Sequence, residues 1–149
     1  MTIRKRINRE IEELEKYYDM NIEETNEFRE VYMTICVLDY LVKITLNQYY
    51  PFKAPKALID GVSYVNIYRN SYSKYQILYN KYGRHLRNCP CCYTMLCNWG
   101  PGNRIVHILK EIENWEKDKR RIETIAAYNI VCKQFPFDGL VYNHIVTYI

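Results

Sequence analysis

The sequence predicts one α+β domain built from an N-terminal helix, an antiparallel meander of three or four strands, and further helices packed on one side. Three observations favour this class. Apolar residues recur at helical spacing near the N-terminus, alternate at strand spacing over residues 28–46, and return to helical spacing after residue 104. With 149 residues, 48% of them hydrophobic, the chain is long and apolar enough to bury a core.

The first predicted helix covers residues 2–18 and is amphipathic. Its apolar face, expected to be buried, is formed by Ile3, Ile7, Ile11 and Leu14. The opposite face carries four cations expected to be mostly exposed, namely Arg4, Lys5, Arg6 and Arg9, and acidic residues follow them. Cations at a helix N-terminus oppose the helix dipole, so two interpretations remain: a solvated face, or charges kept for a partner.

Alternation of apolar and polar residues predicts the meander. A strand from Phe28 should turn at Leu38-Asp39 into a second strand, which makes a hairpin. Its core-facing residues are expected to be Val31, Met33, Ile35 and Val37, then Tyr40, Val42, Ile44 and Leu46. Residues 21–25 predict a weaker first strand, and residues 57–59 predict a short last one that ends at Asp60-Gly61.

Residues 50–56 have the sequence Tyr-Pro-Phe-Lys-Ala-Pro-Lys and should cross between strands in an extended path. Neither Pro51 nor Pro55 can donate a hydrogen bond to a sheet ladder, so a regular strand is not expected here. For the Ala54–Pro55 bond we predict the trans form, which X-Pro bonds favour by about 0.5–1 kcal/mol.

Helical spacing returns after the Trp99-Gly100-Pro101 corner. Asn103 is the expected cap of a helix over residues 105–115, and the charged residues 116–121 should form a solvated turn or an extension of that helix. The other helices expected are residues 72–82 capped by Ser71, residues 122 to about 133, and a short one from residue 140 to 149.

The composition and charge of the chain exclude some classes of function. The net charge is only +4 and the cations are spread along the chain, so strong binding to nucleic acid or to an anionic membrane is not expected. No charged-then-apolar leader precedes the first helix, and no apolar run approaches the ~20 residues of a membrane span. We therefore expect a cytoplasmic, or else nuclear, protein. There the six cysteines should stay reduced.

Four of the six cysteines lie within nine residues, at Cys89, Cys91, Cys92 and Cys97. A cluster of this kind suits a nucleophile, a metal site or simple packing. These four, or three of them with His85, would suit tetrahedral zinc. The spacing disfavours zinc because paired Cys-x-x-Cys knuckles are missing and adjacent Cys91 and Cys92 would have to face one ion.

Two motifs resemble ubiquitin-conjugating enzymes. The strand Val42-Lys43-Ile44-Thr45-Leu46 followed by residues 50–56 is similar to the family's strand and its Tyr-Pro-Phe-Lys-x-Pro-Lys segment. Trp99-Gly100-Pro101 and the helix after it resemble the Trp-Ser-Pro corner and helix that follow the catalytic cysteine. The resemblance covers roughly residues 2–115. The clustered cysteines and tyrosine-rich insertion look most like divergent ubiquitin-conjugating-like proteins of giant DNA viruses, which would place the protein in the host cytoplasm.

The resemblance implies an activity without a metal or organic cofactor. A cysteine would receive ubiquitin, or a ubiquitin-like modifier, from an activating enzyme as a thioester and pass it to a lysine. Counting back from Trp99 selects Cys91, whereas aligning Met95-Leu96 with the family's apolar pair selects Cys92, and we favour Cys92. Asn66 is the candidate for stabilising the oxyanion.

The resemblance also implies partner-binding residues. Phe52 and Pro101 would form, beside the first helix, the patch that ligases bind, and Arg4, Lys5 and Arg9 would help to dock the activating enzyme. The chain departs from the family in having Tyr64-Val65-Asn66 for His-Pro-Asn, an insertion at about residues 67–88 and a divergent tail at about 120–149 of its single domain, residues 1–149. Two alternatives therefore stand: an inactive module that binds ubiquitin or a partner, and a zinc-stiffened structural or interaction protein.

Overall fold

A computed structural model of the chain describes residues 3–25, 30–67 and 94–134. In chain order the elements are helix α1 (Ile3–Leu14), strands β1 (Met20–Thr25), β2 (Glu30–Val37), β3 (Tyr40–Leu46), β4 (Lys56–Ile59) and β5 (Val62–Ser63), and helix α2 (Ile105–Gln134). The strands form one antiparallel sheet in the order β1-β2-β3-β4-β5. The α+β class, the N-terminal helix and the antiparallel meander are thus confirmed, and the described residues contain five strands instead of three or four.

The predicted core face of the hairpin is correct. Ile35 pairs with Val42 and Met33 pairs with Ile44 across β2 and β3, and all four side chains are buried. They pack with Ile7 and Leu14 of α1 and with a buried stripe on α2 in one core, the α2 members being Ile105, Val106, Ile108, Leu109, Ile112 and Trp115. Because a one-residue slip would turn every core side chain to the solvent face, this core fixes the strand register.

Strand β5, which the sequence did not predict, follows β4 through a tight turn. Asp60 and Gly61 join β4 to β5 as a two-residue loop, and both have positive φ, 48° and 82°. Asp-Gly is favoured in such loops because both central residues adopt left-handed conformations there. The Asp60 carboxylate also accepts a hydrogen bond from the Leu41 backbone N–H at 2.9 Å, which joins this turn to β3.

The helix predictions are confirmed at one point and need two corrections. Of the two alternatives for residues 116–121, the extension is confirmed, because α2 continues through them to Gln134 as one helix. Its apolar stripe also continues, with Ile122 and Ile125 buried. Helix α1 ends at Leu14 instead of residue 18, and Ile3, expected in the core, is 41% exposed. The predicted helices over residues 72–82 and 140–149 lie outside the described residues.

Candidate functional site

The loop between β3 and β4 is fastened to the Trp99 corner. The Trp99 indole N–H donates to the Pro51 carbonyl oxygen at 2.7 Å, and the Tyr50 and Trp99 ring centroids lie 5.9 Å apart. The Tyr50–Pro51 bond is cis, whereas Ala54–Pro55 has the trans form that we predicted. Phe52, at the tip of this loop, is 77% exposed. An apolar ring therefore faces solvent on a loop that is held at its base.

Glu10 is a buried carboxylate that joins α1, this loop and α2. Its Oε1 accepts hydrogen bonds from the Tyr50 hydroxyl and the Arg6 Nε, both at 2.5 Å. Its Oε2 accepts from the Ile105 backbone N–H at 2.9 Å. Since Ile105 is the first residue of α2, a side chain from α1 caps that helix, in the role predicted for Asn103. The Asn103 side chain instead donates to the Asn98 carbonyl oxygen.

Two more contacts hold α1 against the segment that carries Pro101. The Arg6 guanidinium donates to the Asn103 carbonyl oxygen at 2.8 Å, and Arg104 forms an ion pair with Glu13. The hydrogen bond to Glu10 raises the pKa of Arg6 above its ordinary value. Arg6 is therefore a half-buried structural cation, and the prediction that it remains exposed like its neighbours is wrong.

The proposed partner-binding residues all lie on the surface. Phe52 and Pro101 are exposed on loops that the Trp99–Pro51 hydrogen bond holds together. The cations Arg4, Lys5 and Arg9 are exposed on α1. The Arg4 guanidinium lies 3.3 Å from the Glu24 carboxylate, but with 81% of the Arg4 side chain exposed this pair contributes little to stability.

The proposed catalytic residues are only partly described. Asn66 is exposed within residues 64–67, which are helical. Cys91 and Cys92 lie outside the described residues, as do Cys89 and His85. Cys97 is exposed, and its backbone N–H donates to the Thr94 carbonyl oxygen at 2.9 Å in the turn that follows the cysteine run.

Glu111 of α2 binds residues on both sides of the undescribed segment 68–93. Its Oε2 accepts hydrogen bonds from the Tyr64 hydroxyl and from the Met95 backbone N–H, the latter at 2.8 Å. Tyr64 is fully buried. Burial raises the pKa of Glu111, and the two hydrogen bonds, which favour the charged form, oppose this effect.

The raised pKa of Glu111 predicts how stability depends on pH. The folded protein binds this proton more tightly than the unfolded chain, so the contribution of Glu111 to stability is fully present below the ordinary pKa of 4.5 and is lost as the pH rises through the raised value. We expect the stability of Glu111→Gln, measured by urea unfolding, to improve relative to wild type as the pH rises above 4.5, because only the wild-type protein then loses the bound proton. A difference that does not vary with pH would contradict the prediction.

Within the described ranges, no three His, Cys, Asp or Glu side chains lie together as a metal site, and no helix is long and apolar enough to cross a membrane. A cavity of about 200 Å³ between the β4–β5 turn and α2 is lined by Ile59, Ile112 and Trp115 among others. The Glu116 carboxylate at this cavity already accepts a hydrogen bond from the Tyr40 hydroxyl at 2.7 Å.

The sequence analysis predicted no structural role for Glu10 or Glu111, although the position of each residue on its helix indicates one. Glu10 lies three residues after Ile7 and four before Leu14, and Glu111 has the same spacing from Ile108 and Trp115. A carboxylate at these positions belongs to the buried stripe of its helix and needs a donor there.

Comparisons with known proteins found no matching family model, no matching curated protein and no matching solved structure.

Proposed function

We propose that the protein carries ubiquitin, or a ubiquitin-like modifier, as a thioester on Cys92, with Cys91 as the alternative position, and transfers it to a lysine amine. The observation that carries the proposal is the Tyr50-Pro51-Phe52 loop held on the Trp99 corner directly after the cysteine run. The order of helix, antiparallel meander and helix around this loop supports the resemblance to ubiquitin-conjugating enzymes.

The chemistry requires two acyl transfers. In the first, the cysteine thiolate attacks the thioester carbonyl carbon of the loaded activating enzyme, a new C–S bond forms, and the thiolate of the activating enzyme leaves. In the second, a neutral lysine amine attacks the same carbon, the C–S bond breaks so that the cysteine leaves as a thiolate, and the proton lost by the nitrogen passes to this thiolate or to water as the amide forms. Asn66 is the proposed donor to the oxyanion that develops in this step.

The proposed docking surface combines apolar and cationic residues. Phe52 and Pro101 supply exposed apolar contacts for a ligase, and α1 lies beside them through its contacts with residues 103–105. Exposed aromatic residues on a fixed loop are good anchors because binding costs them little conformational entropy. The α1 cations would attract an acidic surface of the activating enzyme.

A loading assay tests the proposal. The protein is incubated with activating enzyme, ATP and ubiquitin, and the products are separated on a non-reducing gel. We expect a band shifted by the mass of one ubiquitin that disappears on addition of thiol, because a thioester exchanges with thiols. If no thiol-sensitive band forms with several activating enzymes and modifiers, the transferase proposal is wrong.

Charge reversal on α1 tests the docking surface. Changing Arg4, Lys5 and Arg9 to glutamate should slow loading about tenfold or more, chiefly through slower association that depends on salt. The free energy of unfolding should change by less than about 1 kcal/mol per residue, since all three side chains are exposed. The measurements are the initial loading rate at two salt concentrations and urea unfolding.

The matched control is reversal of three exposed cations of α2, namely Lys110, Lys117 and Arg120. It makes the same change in net charge at a different surface and should alter loading less than about twofold. Equal slowing in both triple variants would mean that net charge, and not a site on α1, controls loading.

A second candidate function is a partner-binding module that forms no thioester. Tyr64 favours it, because it stands where the family has histidine and its side chain is buried, with the hydroxyl bound to Glu111. This module should bind ubiquitin or another partner without an adduct. Replacement of Phe52 by alanine should weaken binding without loss of stability, since the ring is 77% exposed.

A further inference from the structure

The cavity between the β4–β5 turn and α2 brings carboxylates and aromatic rings together. Its volume is about 200 Å³, and most of its lining is apolar. The charged residues that line it are Asp60, Glu116 and Lys119, so the lining has one negative charge in excess. Val62 lines the cavity from the turn and is 49% exposed, which places the opening at the β4–β5 turn. The cavity can therefore be reached from solvent.

The Glu116 carboxylate is a buried anion with a fixed orientation. Its side chain is 8% exposed, and its Oε1 accepts a hydrogen bond from the Tyr40 hydroxyl at 2.7 Å. Burial, together with this hydrogen bond, raises the pKa of Tyr40 to about 12, so the hydroxyl keeps its proton at neutral pH and remains the donor. A neutral donor leaves the charge of the carboxylate uncompensated, and a buried charge is costly unless a cation lies near it.

Lys119 shows which kind of ligand this arrangement suits. Its Nζ lies 5.3 Å from the centroid of the Trp115 ring, which is the geometry of a cation–π contact. The same Nζ is 3.5 Å from the Glu116 Oε1, long for a hydrogen bond, and 26% of the Lys119 side chain is exposed. Lys119 is thus a weakly held internal cation on a flexible stem, and another ammonium group can displace it.

We propose that this cavity binds a primary alkylammonium group, supplied by a lysine side chain of a partner protein or by a free alkylamine, with the ammonium held by Glu116 and Trp115. The alkyl stem would lie against the apolar wall, to which Ile59 and Ile112 contribute. The volume suffices, because an apolar cavity of roughly 150 Å³ already holds benzene, and n-butylammonium has fewer non-hydrogen atoms than benzene. An anionic ligand would instead meet two carboxylates. This proposal does not depend on the thioester function.

Titration with n-butylammonium chloride at constant ionic strength, followed by ¹H–¹⁵N NMR, tests the pocket. We expect saturable shifts of the Trp115 indole N–H and the Lys119 backbone N–H, with a dissociation constant in the millimolar range because the ligand is small. The Trp99 indole N–H, which donates to Pro51 and lies outside the cavity lining, should not shift.

The neutral control ligand is n-butanol, which has the same alkyl chain without the charge. It should bind about tenfold more weakly than n-butylammonium, since it gains neither the carboxylate nor the cation–π contact. Equal binding of the two ligands would show that the cavity is only an apolar gap, and it would overturn the proposal.

Removal of the internal cation gives the sharpest test. Lys119→Met keeps an unbranched side chain but removes the competing ammonium, so n-butylammonium should bind about three- to tenfold more tightly. The matched control is Lys117→Met, which makes the same change in net charge at an exposed position of α2 outside the cavity lining. It should alter binding less than about twofold. Equal tightening in both variants, or no tightening in Lys119→Met, overturns the proposal.

Loss of a carboxylate charge should have the opposite effect. Glu116→Gln can still accept the hydrogen bond from Tyr40 through its amide oxygen, yet it should weaken n-butylammonium binding about tenfold. Asp60→Asn, on the exposed turn, should weaken binding about threefold and serves as the readout if the glutamine variant does not fold. Unchanged affinity in these variants overturns the proposal.

A comparison of two further ligands identifies the source of the ammonium group. Lysine blocked as an Nα-acetyl methylamide carries the flanking peptide groups of a protein partner, whereas putrescine represents a free alkylamine. Tighter binding of blocked lysine than of putrescine supports a lysine side chain as the natural ligand, and the reverse order supports a free amine. Absence of saturable shifts with all three ammonium ligands overturns the proposal.

Discussion

Replacing Cys92 with serine is expected to abolish the thiol-sensitive ubiquitin adduct while the fold is preserved, whereas Cys91→Ser should still load. The physical reason is that only the residue carrying the acyl group is indispensable to acyl transfer, and a serine hydroxyl is a far weaker nucleophile than a thiolate at neutral pH. In Cys92→Ser an adduct that survives thiol can form slowly as an oxyester on the introduced hydroxyl, because an alkoxide is a poorer leaving group than a thiolate. The measurements are the loading gel with and without thiol, and thermal unfolding.

The same pair of variants separates the nucleophile from the zinc hypothesis. A structural zinc site contributes its binding energy to folding, so loss of either cysteine should then lower the melting temperature and release metal. Elemental analysis showing about one zinc per chain would contradict the simple nucleophile. If both serine variants load normally, Cys89 and the exposed Cys97 become the local candidates.

Local patterns predicted the sheet well. The core face of β2 and β3 follows from alternation and from the turn at Leu38-Asp39, both of which are encoded within a few residues. The extension of α2 through residues 116–121 was one of two alternatives that the sequence left open, and it was the better supported one, since no glycine or proline occurs between Asn103 and Phe135 and these charged residues are mostly good helix formers.

Long-range partners could not be predicted. Glu10 and Glu111 are recognisable as carboxylates on apolar stripes, but apart from Arg6 the donors that bind them are 16 to 95 residues away in the chain. With sixteen tyrosines in the sequence, nothing local identifies the hydroxyl that meets each carboxylate. The exposure of Phe52 could not be predicted for the same reason. It depends on the hydrogen bond between the Trp99 indole and Pro51, which lies 48 residues earlier in the chain. The choice between Cys91 and Cys92 stays a prediction.

Removing the Glu10 carboxylate should have the largest effect on stability. Glu10→Leu is expected to lower the free energy of unfolding by about 3–5 kcal/mol, because it leaves a buried tyrosine hydroxyl, a half-buried guanidinium and a helix N-terminal N–H without their acceptor. The stability of Glu10→Gln should lie between those of wild type and Glu10→Leu. The amide oxygen of glutamine can accept hydrogen bonds from the donors at one carboxylate position, but its NH₂ group faces the donors at the other position and cannot accept from them. Urea unfolding followed by circular dichroism measures both.

Glu13→Leu is the matched control for Glu10. Glu13 also binds an arginine, in this case Arg104, but the Glu13 side chain is 30% exposed, so its loss should cost less than about 1 kcal/mol. A double-mutant cycle tests the network itself: Tyr50→Phe should cost about 1–2 kcal/mol alone and markedly less in the Glu10→Leu background, because the hydroxyl has already lost its acceptor. Additive effects, or equal losses for Glu10→Leu and Glu13→Leu, would show that Glu10 does not hold α1, the Tyr50 loop and α2 together.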